Sequence, residues 1–234
     1  MTWALAWALP ATLAVTACSA GSQAKPRATA PATAPAARQA TPSQSQQPIV
    51  PPPSAAELKK RVLRLRDLPH GFVRRPLTSR NLPSHLTGCQ RLGVLTGRGA
   101  GRHEQAEFFQ PPAGPWLNEA VIAPVHRSAA SLSGELAKAM GGCSSVTVTE
   151  EGQRVRLALA AAPGAPGVTI AAGDETHAYH ATGWLGGIPL TMDIVVIRSG
   201  TLVLLLTNTS VAGTVDPALT AKAARAAAAR AART

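Results

Sequence analysis

Residues 19 to 53 contain eight prolines and many Ala, Ser, Thr and Gln residues, with almost no aliphatic side chains before Ile49 and Val50. Such a segment cannot bury enough apolar surface to offset its conformational entropy, so we expect it to be disordered. As a tether it reaches between roughly 30 Å as a flexible coil and about 110 Å as polyproline II. Folding is therefore confined to residues 54 to 234, a length that suits one domain.

The segment before this tether is an apolar run that opens at Met1 and closes on Val15-Thr16-Ala17-Cys18. It is too short to span a bilayer, which needs about 20 residues. A short apolar segment with small residues before a cysteine is typical of a bacterial lipoprotein signal peptide. We therefore predict a signal peptide over residues 1–17 and a palmitate-bearing, lipidated Cys18 at the start of a disordered tether over residues 18–53. The run has no preceding Lys or Arg, and a start codon placed too far downstream would explain this departure.

An acylated Cys18 would hold the domain at the outer face of the cytoplasmic membrane, outside the cell. In an exported protein an even pair of cysteines is most simply a disulfide, and two cysteines follow Cys18, namely Cys89 and Cys143. Closing a loop of this length is worth roughly 4 kcal/mol in the chain-entropy model. The alternative, a metal site or nucleophilic thiol pair, lacks the close spacing and partner histidine that such sites need.

The net charge of +11 is unevenly distributed along the chain. From residue 19 through Arg102 there are fourteen basic and two acidic residues, whereas nine basic and ten acidic residues follow. One interpretation is simply a solvated, soluble surface. The functional interpretation is attraction to anionic lipid or acidic cell-wall polymer, with each cation near such a surface adding about 1 kcal/mol. Nucleic acid is the usual partner of a basic chain, but the export signal argues against it.

The folded region begins with a predicted helix. Ser54-Ala55-Ala56-Glu57 is a capping box, in which serine and glutamate satisfy free N–H groups at a helix start. Apolar residues follow at i, i+4 and i+7 and predict one buried stripe, made of Leu58, Val62 and Leu65. The helix is expected to end near Arg66-Asp67, because Pro69 disfavours helical geometry in the residue before it.

Two further helices are predicted later in the chain. Ser128 starts the first, which has one apolar face and ends at Gly141-Gly142. Asp216-Pro217 caps the last, with proline at its preferred first position. The basic residues expected on the solvent side of this last helix are Lys222, Arg225, Arg230 and Arg233.

Strand patterns occupy most of the remaining chain. The predicted strands are Phe72–Val73, Glu107–Phe109, Asn118–Ala123, Val146–Thr149, Val155–Ala160, His177–Trp184, Leu190–Arg198 and Thr201–Thr207. Ser199-Gly200 predicts a tight turn between the last two. Many strands with about three helices predict an α+β fold, a single domain over residues 54–234 with an antiparallel sheet.

No catalytic, metal or cofactor motif emerges from the sequence, and the ligand-binding residues stay unknown. His177 and His180 lie three apart in a predicted strand, which places them on opposite faces and makes shared metal ligation unfavourable. His177 shares a face with Tyr179, and with Asp174 the pair would line a polar pocket. Exposed polar residues of a strand explain the same pattern equally well. A catalytic carboxylate pair has no support in the spacing of the acidic residues.

Taken in order, several of these features resemble the sensor-domain lipoproteins of actinobacteria, which are similar to the extracellular sensor domain of PknH-type receptor serine/threonine kinases. The features are Leu65-Arg66-Asp67-Leu68-Pro69-His70-Gly71-Phe72, Cys89, the helix that ends in Cys143, Gly173-Asp174-Glu175-Thr176-His177-Ala178-Tyr179, the hairpin from Val195 to Leu206 and the last helix. The resemblance implies an α+β domain with an antiparallel sheet and a groove, displayed outside the cell, that binds an undetermined ligand. The chain departs from the kinases in having no kinase domain, no membrane-spanning helix and one domain cysteine pair where two are expected.

Three functional hypotheses follow. The leading one is a lipid-anchored, extracytoplasmic binding or sensor-type domain that is not an enzyme and uses no cofactor. Its ligand is unknown, and the excess of basic residues through Arg102 favours an anion. The second is a structural or partner-binding envelope lipoprotein with an unknown protein partner. The third is an envelope hydrolase with a dispersed active site.

Overall fold

The computed structural model describes residues 51–77, 89–96, 100–150, 153–160 and 170–233. The α-helices in these residues are α1 (Ala55–Arg61), α2 (Gln90–Thr96), α3 (Ala129–Gly142) and α4 (Pro217–Ala231), with a 3-10 turn at Leu65–Asp67. The strands are β1 (Val73–Arg75), β2 (Arg102–Phe109), β3 (Trp116–Ala123), β4 (Ser145–Glu150), β5 (Gln153–Ala160), β6 (Glu175–Leu185), β7 (Ile188–Ser199) and β8 (Leu202–Val211). The predicted signal peptide, Cys18 and most of the predicted tether lie outside the described residues.

All eight strands join one sheet in the order β1-β2-β3-β8-β7-β6-β5-β4, and every neighbouring pair is antiparallel. The predicted α+β class with an antiparallel sheet is thus confirmed. The described residues hold four α-helices where about three were expected, because α2 has only seven residues, one of them Gly93, and so gives a weak helical pattern.

Helix α1 confirms its predicted start but not its predicted end. Both hydrogen bonds of the capping box between Ser54 and Glu57 form. The helix ends at Arg61, well before Arg66-Asp67, and Val62 already has extended backbone angles. The early end turns Leu65 outward, so that it is 44 % exposed instead of completing the buried stripe.

The two long helices begin where the sequence placed them. Ser128 caps α3 by accepting from the Ser131 N–H, and Asp216 caps α4 by accepting from the Ala218 N–H. The expected basic side of α4 is wrong at one position, since Arg230 is buried at 4 % exposure. Its guanidinium has a carboxylate partner, described below, that offsets the cost of removing the charge from water.

The hydrophobic core has two parts, one on each face of the sheet. Helices α1 and α4 cover β2, β3, β7 and β8 on one face. Helices α2 and α3 cover the opposite face, where residues of β4, β5 and β6 are also buried. The period-two alternation of strand side chains sends neighbours such as Val121 and Ile122 to opposite parts of the core.

Two local features complete the fold. The β7–β8 turn is formed by Gly200 and Thr201, one residue later than predicted, and Gly200 adopts a φ of 58° that glycine accepts without strain. A disulfide joins Cys89 to Cys143, with Cα atoms 5.8 Å apart, and this agrees with the predicted pairing. The bridge ties the start of α2 to the end of α3.

In the described part of the chain, no helix is long and apolar enough to cross a membrane.

Candidate functional site

A cleft opens at the β1 edge of the sheet, between α1, β1 and β2. Strand β1 is short and pairs only with residues 107–109 of β2, whereas β2 continues back to Arg102. Because β1 ends early, helix α1 and the start of β2 leave between them a cleft of about 460 Å³. The described residues that line it are Lys59, Val62, Arg74, Leu77, His103, Glu104 and Gln105.

The cleft is electropositive on the side formed by α1 and β1. Lys59 and Arg74 are exposed, and neither takes part in an ion pair within the described part of the chain. The segment 55–75 holds seven Lys and Arg residues against two carboxylates, those of Glu57 and Asp67. Among the described lining residues these two cations face one carboxylate, that of Glu104, so an anion entering the cleft would meet an excess of positive charge that is not committed to an existing ion pair.

Both carboxylates of this segment are committed to structural contacts. Glu57 accepts from the Ser54 hydroxyl and N–H, and these hydrogen bonds hold the pKa of the Glu57 carboxyl below its usual value. Partial burial would raise the pKa of Asp67, but hydrogen bonds from Arg230 and the Arg64 N–H outweigh it, so the pKa is lowered. Both carboxyl groups therefore stay ionised at neutral pH. In the described residues, neither of them forms an ion pair with Lys59.

Behind the cleft, a buried polar cluster holds the segment after α1 against the sheet. Arg230 of α4 donates from Nε to Asp67 and from Nη1 to the Lys60 carbonyl at 3.2 Å. Glu119 of β3 accepts from the Leu63 N–H at 2.5 Å. Burial raises the pKa of Glu119 to about 8. We call Asp67, Glu119 and Arg230 the buried latch.

The sequence alone does not predict the buried latch. The helical periodicity predicts that Arg230 lies on the solvent side of α4 and makes no prediction for Glu119. One signal was present, because Glu119 alternates with Leu117 and Val121 and so lies on the inward face of its strand. A carboxylate at an inward strand position indicates a buried partner.

Of the two interpretations of His177, Tyr179 and Asp174, the polar pocket does not form. Tyr179 is buried in the core and its hydroxyl donates to the Ala137 carbonyl of α3 at 2.9 Å, while burial raises its pKa. His177 contacts Glu175 at 2.9 Å, and Arg198 binds both Asp174 and Glu175. The hydrogen bond with His177, followed by that with Arg198, lowers the pKa of Glu175. These groups form a surface ion cluster.

His180 lies on the other face of the sheet, as its spacing from His177 predicted. Its Nδ1 is 2.9 Å from an oxygen of Asp193 on the neighbouring strand β7. Asp193 is buried and also accepts from the Thr220 hydroxyl of α4 at 2.8 Å. Within the described residues, no group of three or more His, Cys, Asp or Glu side chains is placed to hold a metal ion.

Comparison with known proteins identifies the architecture. No protein family matches the chain, and no curated protein matches it significantly. Among solved structures, the extracellular domain of PknH from Mycobacterium tuberculosis is similar, with a TM-score of 0.55 over 77% of this chain and 97% of that domain. The chain has the fold of the extracellular domain of PknH. The sequence identity is 15%, so the PknH-type likeness concerns the fold and carries no ligand-contacting residue.

Proposed function

We propose that this chain is a lipid-anchored, non-enzymatic binding domain of sensor type, held at the outer face of the cytoplasmic membrane, whose ligand is anionic. In this proposal Cys18 carries the acyl chains and residues 19–53 form the spacer. The Cys89–Cys143 disulfide supports an oxidising compartment. The likeness to an extracellular domain supports display outside the cell.

The observation that carries the anionic ligand is the cleft with Lys59 and Arg74 on its walls. Guanidinium and ammonium groups form their strongest hydrogen bonds with carboxylate and phosphate. The exposed cations of the adjoining segments are Lys60, Arg64, Arg66 and Arg75, of which Arg75 is 4.0 Å from Glu107. They extend the positive potential beyond the cleft and would raise the local concentration of anions. Phosphate groups of lipid headgroups and acidic groups of envelope polymers share this chemistry.

The position of the cleft in the chain suits a membrane-anchored protein. Lys59 follows the end of the predicted tether by six residues, since that tether ends at residue 53. A flexible tether gives the domain a high effective concentration at the surface that anchors it. Weak electrostatic contacts are then sufficient for binding.

The arrangement around His180 disfavours a hydrolase of the Ser-His-Asp type. A hydrolase of the Ser-His-Asp type needs a hydroxyl that hydrogen-bonds to the imidazole. Here the hydroxyl next to the pair, that of Thr220, donates to Asp193 instead. In the described residues the His180–Asp193 pair thus fixes a ring without activating a nucleophile.

The test is binding of the full chain carrying Cys18→Ser, so that acylation does not contribute. One arm measures cosedimentation with vesicles of phosphatidylglycerol against phosphatidylcholine, and the other measures retention on immobilised polyglutamate. The first arm reports lipid headgroups and the second a soluble acidic polymer. We expect Lys59→Gln with Arg74→Gln to weaken binding at least tenfold in one arm, with a steep dependence on salt.

The matched control removes two cations elsewhere, Lys222→Gln with Arg225→Gln, because both side chains are exposed on α4. If the two double variants lose the same affinity, net charge alone explains binding and the cleft has no role. Absence of binding in both arms would overturn the anionic ligand.

A further inference from the structure

A second surface is left open on the side of the sheet that carries α1 and α4. The buried residues beneath these helices come from β2, β3, β7 and β8 and their flanking loops, whereas β4 to β6 contribute none to that part of the core. On this side Ala178 of β6 is partly buried against the core, whereas Arg156 and Ala158 of β5 and Thr182 and Trp184 of β6 are exposed. We call this surface the Trp184 face; its residues are Arg156, Ala158, His180, Thr182, Trp184 and Thr191.

Trp184 is the most informative residue of this face. It is 63 % exposed near the end of β6, directly opposite Arg156 of β5 in the strand register. Opposite residues on neighbouring antiparallel strands have Cβ atoms about 5 Å apart. The indole ring and the guanidinium group can therefore contact one ligand together.

Hydroxyl groups lie next to this pair on the same face. Thr182 is two residues from Trp184 along β6, and Thr191 is its partner on β7. The Thr191 hydroxyl donates to the Gly213 carbonyl at 2.8 Å, which leaves its oxygen free to accept. The residue directly opposite Trp184 on β7 is Pro189, which is exposed, so the indole ring lies between one apolar neighbour and these hydroxyl groups.

His180 lies at the end of the Trp184 face that is next to the start of α4. Its ring is held in place by buried residues. Asp193 fixes Nδ1, and Asp193 is fixed in turn by Thr220, whose hydroxyl also accepts from the Asn208 amide at 2.9 Å. With Nδ1 directed at a carboxylate, Nε2 of the neutral ring is an acceptor. In the described part of the chain Nε2 makes no hydrogen bond. It is oriented before a ligand arrives.

We propose that the Trp184 face binds an acidic oligosaccharide. A sugar ring presents C–H groups to an aromatic face, whose π-system is negative. The Trp184 ring would stack on one sugar, Arg156 would bind its carboxylate, and His180 would accept from a hydroxyl further along. Trp184 and His180 are four residues apart on one strand, about 13 Å, so the ligand spans more than one sugar. This site is separate from the cleft and does not depend on it.

The experiment is isothermal titration of the full chain carrying Cys18→Ser with galacturonate hexamers and with hyaluronan hexamers. The fully methyl-esterified galacturonate hexamer has the same skeleton without charge. We expect saturable binding of an acidic hexamer that is at least tenfold tighter than binding of the ester. Arg156→Gln should remove this preference, and Trp184→Ala should weaken binding at least tenfold, while Trp184→Phe should retain most of it.

Two controls keep these outcomes distinct. Val94→Ala shortens another exposed apolar side chain, on α2, and should leave hexamer affinity unchanged. Each titration is also run in the Lys59→Gln with Arg74→Gln background, so that binding at the cleft does not contribute; hexamer binding that persists there and is lost on adding Trp184→Ala belongs to the Trp184 face whether or not the cleft proposal holds. Absence of binding to either acidic hexamer, or unchanged affinity in Trp184→Ala, overturns the proposal. Loss of vesicle binding in Trp184→Ala without any hexamer binding would overturn it in favour of a membrane contact.

Discussion

Glu119 makes the stability of this domain depend on pH in a direction opposite to that of ordinary carboxylates. Its pKa is about 8 in the folded chain against 4.5 for an exposed glutamate, because the side chain is fully buried. Between these pH values the unfolded chain releases a proton that the folded chain keeps. The free energy of unfolding therefore falls as pH rises from about 4.5 to 8.

The magnitude follows from the shift. Each pKa unit corresponds to 1.36 kcal/mol, so this group removes up to about 5 kcal/mol of stability across the window. That loss is a large part of the 5 to 15 kcal/mol typical of a domain. Asp67, Glu57 and Glu175 have lowered pKa values, and their contributions are lost only as pH falls below about 4. They do not obscure a measurement between pH 5 and 8.

Glu119→Gln is the variant that isolates this effect, since its amide oxygen can still accept from the Leu63 N–H and cannot ionise. Urea unfolding followed by circular dichroism at pH 5, 6, 7 and 8 gives the slope of stability against pH. We expect a steep fall for the parent chain and a much flatter profile for Glu119→Gln. Glu135→Gln, the same change at a partly exposed site paired with Arg127, should keep the parental slope. Parallel profiles for the parent and Glu119→Gln would refute the assignment of a raised pKa.

Two further predictions concern the cysteines. Cys18→Ala should release the protein from membranes on fractionation of the source cells, and a variant that still sediments with membranes would contradict acylation at this residue. Cys89→Ser should cost about 4 kcal/mol for a bridge that spans 54 residues, and so lower the melting temperature by roughly 10 °C under non-reducing conditions. An unchanged melting temperature would show that the bridge does not form in the native protein.

The strands and helix starts were predictable because their signals are local. Period-two alternation marks the strands, and the caps at Ser54, Ser128 and Asp216 act within three residues of their own position. The end of α1 was not predictable in this way. Pro69 sets only an outer limit, whereas the chain leaves the helix earlier and the Leu63 N–H bonds to Glu119, 56 residues away. A contact at that separation has no local signature.

The cleft shows why composition alone does not define a binding site. The excess of basic residues before Arg102 is plain in the sequence, but only the β1–β2 register brings Arg74 beside β2 and into the same cleft as Lys59. The helical pattern of α4 also predicts that Arg230 is exposed to solvent. In the structure it pairs with Asp67, which lies 163 residues away in the chain. That pairing matters for the cleft itself. Asp67 is one of two carboxylates in residues 55–75. It binds Arg230, from the part of the chain after Arg102, instead of a neighbouring cation. The fold thereby leaves Lys59 and Arg74 without ion-pair partners in the described residues, and their availability to an anion follows from the buried latch as well as from the number of basic residues.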